Sequence, residues 1–291
     1  MKIFVTGASG FIGSMIVKEL IAGGQQVTGL ARTDAAAKAI TDAGAIALQG
    51  SLEDLGILKQ GASQADGVIH TAFIHDFTQY VKANDTDKAA INAMGEVLAG
   101  TSKPIVVTAG ILGLPVINGA ITEESRAVNS PRSSEATAMA LAEKGINASV
   151  VRLPPSVHDK GDKGFIPFII AQARKNGVSA YVEESNNRWS AVHRADAAHL
   201  FRLAVEKAEK GALYNAIGDN GITLKEIAGL IGRQLNLPVI PVSGDGAAKH
   251  FDWMHRFITL DGFATSNKTQ EQLGWKPTHT GLLEDMQQHY F

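Results

Sequence analysis

Seven residues near the start of this 291-residue chain carry its clearest chemical signature: Gly7-Ala8-Ser9-Gly10-Phe11-Ile12-Gly13. Each glycine there has a physical use. Gly7 permits a tight turn, Gly10 lets the backbone approach a pyrophosphate, and Gly13 lets the following helix pack closely on the preceding strand. The start of that helix, with Ser9, Phe11 and Ile12 around it, offers free N–H groups and the positive end of its dipole to phosphates. The motif falls where a first strand ends and a first helix begins, the setting that makes it a dinucleotide cradle and not an ordinary βα turn.

Other candidates follow the ends of later strands. At the end of the second strand stands Leu30-Ala31-Arg32-Thr33-Asp34. A carboxylate in the Ala31 slot would bond the ribose 2′-OH of NAD. Here it is absent, and the Arg32 guanidinium suits a 2′-phosphate, so NADP(H) is favoured over NAD(H). The alternative is a solvated Arg32 in an NAD(H) protein. Ser51 and Leu52 follow the third strand, and the Ser51 hydroxyl can make a neutral hydrogen bond. Phe73-Ile74-His75-Asp76-Phe77 follows the fourth strand, and an imidazole has a suitable unperturbed pKa to donate a proton. Tyr80 lies within reach of the same pocket. Thr108 ends the fifth strand, either as a hydroxyl for a substrate oxygen or as a plain strand-end threonine. His75 is likewise either an acid or a packed loop histidine.

The elements that must position these residues alternate. Short, largely apolar runs at residues 2–6, 26–30, 45–49, 67–70, 104–108 and 148–152 alternate with helical patterns, as in βαβ units with a parallel sheet covered on both faces. Phe11–Ala22 places Ile12, Met15, Ile16 and Leu20 on one helical face, and residues 134–144 form an alanine-rich helix. After Arg152 the texture changes: Pro154-Pro155 opens a loop, and helices are expected over Phe165–Asn176, 195–209, Leu224–Leu235 and 281–289. Thr223-Leu224-Lys225-Glu226 reads as a capping box. The expected organisation is a dinucleotide-binding domain over 1–152 and a smaller, mainly helical substrate-binding lobe over 153–291, with some segments returning to the first domain.

Composition removes several classes. Lys+Arg is 27 and Asp+Glu 29, a formal charge of −2, with no basic block to neutralise phosphates, so nucleic acid is not an expected partner. There is no cysteine, which excludes disulfides and thiolate chemistry and makes a reducing cytoplasm the expected compartment. No run approaches the roughly 18 apolar residues of a membrane span. The histidines show no ligand spacing, so no metal is expected.

The Gly-x-x-Gly-x-x-Gly spacing resembles the extended and atypical branches of the short-chain dehydrogenase/reductase superfamily. Four more segments match that pattern in order. They are Asp66-Gly67-Val68-Ile69-His70-Thr71-Ala72, the sixth-strand segment from Val150 to His158, Trp189-Ser190-Ala191-Val192-His193-Arg194-Ala195-Asp196, and Leu273-Gly274-Trp275-Lys276-Pro277. The resemblance implies a Rossmann-type α/β fold. It also places Ser51 and Leu52 at the adenine and implies cofactor contacts from Thr71, Ala72, Thr108, Pro154 and Val157. The residues themselves offer Phe73 and His158 for the substrate side of the cleft, with Phe165, Phe168, Trp189 and Phe251 either an apolar substrate wall or lobe core. In many members two helices of the first domain form a dimer face, which leaves a homodimer open. Most members use a Tyr-x-x-x-Lys pair to move the proton. None of the four tyrosines here, Tyr80, Tyr181, Tyr214 and Tyr290, has a lysine four residues on. An atypical branch carries His-x-x-x-Arg in that slot. Arg132 would match its arginine, with Val128 in the acid position, or Pro131-Arg132 is a helix start with a surface arginine. The resulting expectation is an NAD(P)H-dependent oxidoreductase acting on a small apolar aldehyde or ketone, with a proton donor other than the usual tyrosine. A cofactor-binding protein without turnover is the alternative, and a nucleotide-sugar epimerase or dehydratase the third.

Overall fold

The computed structural model describes residues 1–75, 79–127, 132–183 and 187–291. The first half runs β1 (Lys2–Thr6), α1 (Phe11–Ala22), β2 (Gln26–Ala31), α2 (Asp34–Asp42), β3 (Ile46–Gln49), α3 (Leu55–Gln64), β4 (Gly67–His70), α4 (Tyr80–Leu98), β5 (Ile105–Gly110), α5 (Ser134–Glu143) and β6 (Ala148–Leu153). The second half supplies β7 (Ser156–His158), α6 (Phe165–Asn176), β8 (Ser179–Val182), β9 (Arg188–His193), α7 (Arg194–Lys207), β10 (Leu213–Asn215), β11 (Asp219–Thr223), α8 (Leu224–Leu235) and β12 (Val239–Val242). It ends with α9 (Gly244–Phe251), α10 (His255–Ile258), α11 (Asn267–Leu273) and α12 (Leu282–His289).

Seven strands form one parallel sheet in the order β10-β6-β5-β4-β1-β2-β3, a Rossmann-type doubly wound arrangement. Strand alternation divides the core in two. Ile3 and Val5 of β1 face α1 and α7 with Ile16, Leu20 and Phe201, whereas Phe4 faces α3 and α4 with Leu58 and Met94. The strand order reverses between β1 and β4, so the carboxyl edge there opens the crevice where such sheets bind ligands. Register brings Thr6 opposite His70, His70 opposite Val107 and Thr108 opposite Val151, so these strand ends are level.

Two features of the large sheet add to the sequence expectation. β5 extends to Gly110, so Thr108 lies inside the strand and not at its end. The seventh strand, β10, comes from the second half of the chain and pairs with β6. Three residues are too few to show an alternating pattern, which is why the sequence does not announce it.

The remaining lobe has its own core, with Ile166, Ile170, Trp189, Ile227, Ile231, Phe251 and Met286. Its three-stranded sheet, β11-β9-β7, separates two cores: Trp189 and Ala191 pack into the lobe, and Val192 packs against the large sheet's helices. The expected capping box starts α8, with Glu226 N–H donating to Thr223 Oγ1 at 3.1 Å and Thr223 N–H to Glu226 Oε2 at 2.9 Å. Among the described residues no helix is long and apolar enough to cross a membrane.

One buried ion pair fixes the segment entering the site. Arg152 on β6, fully enclosed, donates from Nε and Nη2 to the two carboxylate oxygens of Glu135 on α5, at 2.8 and 2.7 Å. Its Nη1 donates to the Thr122 carbonyl at 3.2 Å. This bidentate clamp ties the first turn of α5, and with it the residues just before that helix, to the sheet.

Candidate active site

The glycine cradle has the geometry its spacing requires. Gly7 has φ +72°, the left-handed region, and a Cβ there would lie 2.7 Å from Thr71 Oγ1 and 2.8 Å from the Ala72 nitrogen. A Cβ on Gly13 would lie 2.0 Å from the Gly7 carbonyl oxygen, closer than any side chain tolerates. The Gly10 N–H donates to the Gly7 carbonyl at 2.9 Å, closing the turn. Gly10 then caps α1 with no side-chain hydrogen bond, which leaves the first-turn amides open to an anion. Ser9 and Gly10 are exposed, Phe11 and Ile12 half-buried. Two positions that no larger side chain could occupy, Gly7 and Gly13, thus shape the turn in front of the open α1 amides.

Beside the cradle, Ala31 is buried at the end of β2 and Arg32 is exposed. Thr33 Oγ1 accepts from the Ala36 N–H at 3.2 Å and caps α2, so Arg32 stands next to a helix N-terminus. Ser51 is engaged locally: its hydroxyl donates to Asp54 Oδ2 at 3.1 Å and accepts from the Glu53 N–H at 3.2 Å. Leu52 packs against the α3–α4 face of the sheet.

The sequence candidates for the reaction gather around one guanidinium. Arg132, immediately before α5, is half-buried, with its guanidinium carbon 4.3 Å from the centre of the Phe73 ring. Its Nη2 donates to the Thr108 carbonyl at 3.4 Å and its Nε to Ser134 Oγ at 2.9 Å. The surface-arginine reading therefore falls. Phe73 also contacts His75 edge-on, with ring centres 5.5 Å apart, and Tyr80 at 6.2 Å. Thr108 is buried and its Oγ1 has no hydrogen-bond partner among the described residues. His75 is exposed as a whole, yet its ring packs beside Phe73, and the partial desolvation there together with the nearby Arg132 charge lowers its pKa from the ordinary histidine value. Burial also lowers the pKa of Arg132, opposed by Asp87 and Tyr80.

This geometry accompanies a clear kinship. The model of the NAD dependent epimerase/dehydratase family matches residues 3–99, which include the cradle. An uncharacterized protein of Schizosaccharomyces pombe is 46% identical over 290 residues and covers 98% of each chain. Another, of Saccharomyces cerevisiae, is 46% identical over 297 residues, covering 100% of this chain and 99% of its own. The chain belongs to the NAD dependent epimerase/dehydratase family. A more distant relative is the 4-hydroxy-2-methyl-3-oxo-4-farnesyl-3,4-dihydroquinoline-1-oxide ketoreductase of Stigmatella aurantiaca, 25% identical over 272 residues, 86% of this chain and 79% of that one. Among solved structures, dTDP-glucose 4,6-dehydratase from Bacillus anthracis in complex with NAD matches with a TM-score of 0.76. It covers 100% of this chain and 96% of that chain at 19% identity, a likeness of fold.

Within the family pattern, Thr71 and Ala72 follow β4 and face the cradle: Thr71 Oγ1 donates to the Thr6 carbonyl at 2.8 Å and the Ala72 N–H to Thr6 Oγ1 at 3.3 Å. Pro154 is buried after β6, and Val157 is half-buried against the large core. Of the four tyrosines only Tyr80 joins the Arg132 group. Tyr214 is buried in β10, the Tyr290 hydroxyl donates to Asp162 at 2.9 Å, and Tyr181 packs under Lys225. Asp76, Val128 and Pro131 lie outside the described residues.

The lobe residues divide. Phe165 and Phe168 are partly buried and join Trp253 and Phe257 in an aromatic group, with Phe168 and Trp253 centres 5.0 Å apart and Phe165 and Phe257 centres 5.3 Å apart. Trp189 packs behind Phe165 at 5.6 Å and has no accessible surface, so in this structure it supports the wall without facing the pocket. His158 is likewise enclosed: its Nδ1 pairs with Asp285 at 2.9 Å, bridging β7 to α12 instead of lining the cleft. Sequence reasoning also missed His70, Asp87 and Ser134, whose buried side chains contact the site from behind. Nothing in their local pattern distinguishes them from core positions.

Proposed function

We propose that this chain is an NADPH-preferring reductase of a small, apolar aldehyde or ketone. The observation that carries the reading is Thr108 Oγ1, a buried hydroxyl without a partner among the described residues, on the residue whose carbonyl receives the Arg132 guanidinium. Buried hydroxyls are normally hydrogen-bonded, and a substrate carbonyl oxygen would complete this one. Gly7, Ser9, Gly10, Phe11, Ile12 and Gly13 would hold the cofactor pyrophosphate, Thr71, Ala72, Pro154 and Val157 its nicotinamide side, Ser51 and Leu52 its adenine, and Arg32 its 2′-phosphate. The nicotinamide supplies a hydride when bound. Thr108 hydrogen-bonds the oxygen, Arg132 stabilises the negative charge developing on it, and His75, or Tyr80 beside it, donates the proton that completes the alcohol. The apolar substrate class is supported by Phe73, Phe165 and Phe168, and by the farnesylated ketone in the name of the Stigmatella relative.

The test is NADPH oxidation by the purified chain across a panel of aldehydes and ketones, with Gly10→Asp as the cofactor-blocked control. Turnover that the control abolishes supports the reading. Tight NADPH binding with no turnover on any carbonyl would favour a non-catalytic cofactor-binding protein. A UDP- or dTDP-sugar that raises the melting temperature would favour the nucleotide-sugar chemistry named for other family members, since a ligand that binds only the native state stabilises it.

A further inference from the structure

A chain of buried polar contacts runs behind the candidate site and closes on itself. The Ala72 N–H donates to Thr6 Oγ1 at 3.3 Å, and Thr6 Oγ1 contacts His70 Nδ1 at 2.8 Å. His70 Nε2 meets Asp87 Oδ1 at 3.0 Å, the Ser134 hydroxyl donates to Asp87 Oδ2 at 2.6 Å, and Arg132 Nε donates to Ser134 Oγ at 2.9 Å. Arg132 then stacks on Phe73, the neighbour of Ala72, and the circuit is complete. Thr6, His70, Asp87 and Ser134 are each at most 1% exposed. Four elements contribute: β1, β4, α4 and α5.

Asp87 is the one anion in this circuit. Burial works against its charge, but hydrogen bonds from His70 and Ser134 and the Arg132 charge outweigh that and hold its pKa below the usual carboxylate range. An ionised carboxylate has only acceptors, so His70 Nε2 carries the hydrogen and both sides of the circuit donate toward Asp87. A buried anion with every contact pointing at it fixes the geometry of its donors.

We infer that Asp87 is the positioning residue of the carbonyl site: through Ser134 it sets the Arg132 guanidinium, and through His70 and Thr6 it anchors the loop that carries Phe73 and His75. The catalytic consequence rests on the reductase reading above; the positional one does not.

Two variants test it, Asp87→Asn and Ser134→Ala, the second serving if the first does not fold. Both are expected to keep their NADPH affinity within about threefold while kcat for carbonyl reduction falls by about tenfold to a hundredfold, as loss of alignment predicts. Because Ser134 acts through Arg132, adding Ser134→Ala to Arg132→Gln should cost no further activity. Unchanged kcat in both single variants, or losses that multiply in the double variant, would overturn the inference.

A second readout does not need turnover. His75 lies beside Arg132 and the Phe73 ring and backbone, and in the unaltered chain Arg132 helps hold its pKa down. Followed by NMR, the His75 titration should move up toward its ordinary value in either variant as the guanidinium leaves. If the unaltered chain reduces no carbonyl, the reductase reading fails and this titration decides the positioning role alone; an unmoved His75 pKa in both variants refutes it.

Discussion

Thr108→Val separates folding from chemistry at one atom. Valine keeps the shape of threonine and replaces Oγ1 with a methyl group. At a buried position the unpartnered hydroxyl costs about 1–3 kcal/mol of stability, and Thr108 is 6% exposed with no partner for that oxygen. The substitution should therefore stabilise the chain by roughly 1–2 kcal/mol, a rise in Tm of about 2–3 °C for a chain of this length. In the proposed reduction the same hydroxyl is a donor to an oxygen that becomes negative, and removing one such donor costs about 100- to 1,000-fold in kcat. That loss corresponds to about 2.7–4 kcal/mol of transition-state stabilisation. Stability and activity should thus move in opposite directions. Differential scanning fluorimetry and NADPH-coupled turnover measure the two on one preparation. Thr108→Ser is the control: it keeps the hydroxyl and most of the activity but loses about 1 kcal/mol with the buried methyl group. A lower Tm in Thr108→Val would mean that the hydroxyl is already satisfied in the resting protein. Full turnover in that variant would remove Thr108 from the chemistry.

Three further outcomes are expected. Arg32→Ala should weaken NADPH by about ten- to a hundredfold, the worth of a charge-assisted contact, and leave NADH nearly unchanged in a fluorescence titration; equal losses would end the 2′-phosphate assignment. Glu135→Ala strands the buried Arg152 charge and should cost about 3–5 kcal/mol in denaturant unfolding, and a loss below about 1 kcal/mol would contradict the clamp. If protonated His75 is the donor, its lowered pKa means that the active form accumulates only as pH falls, so kcat for reduction should climb through a midpoint below 6.5. Arg132→Gln should move that midpoint upward, and a flat profile in the unaltered chain would dismiss His75.

The parts of this site that were legible in the sequence are those whose physics is local. Gly7 and Gly13 are six positions apart, and the left-handed turn at Gly7 and the close approach of Gly13 to the Gly7 carbonyl are completed within that stretch. Thr108 and His75 were legible because runs of apolar residues mark strands, and the chain must turn at the carboxyl edge soon after them. Arg132 was not. Its surroundings decide between a surface side chain and a buried cation, and they come from Asp87, 47 positions before Ser134, and from Phe73. His70 reads as the last apolar-run residue of β4, yet its partner Thr6 lies 64 positions away across the sheet. His158 was misjudged for the same reason: Asp285, which holds it inside the lobe, is 127 positions distant.

The absence of Tyr-x-x-x-Lys has a physical consequence that the cluster makes concrete. In that pair the cation and the acid share one helix, and the lysine charge makes the phenol a better acid. In the proposed site the cation is Arg132, whose guanidinium stays protonated and cannot itself deliver a proton. Polarising the oxygen and protonating it must then fall to different groups on different elements. The same electrostatic coupling survives in another form. Arg132 beside His75 makes the imidazolium a stronger acid, which speeds proton delivery while shrinking the protonated fraction at neutral pH. The two effects oppose each other in kcat, and the balance depends on how closely the guanidinium is held. That makes the placement of Arg132 by Asp87 and Ser134 the variable to which a site without the usual phenol is most sensitive.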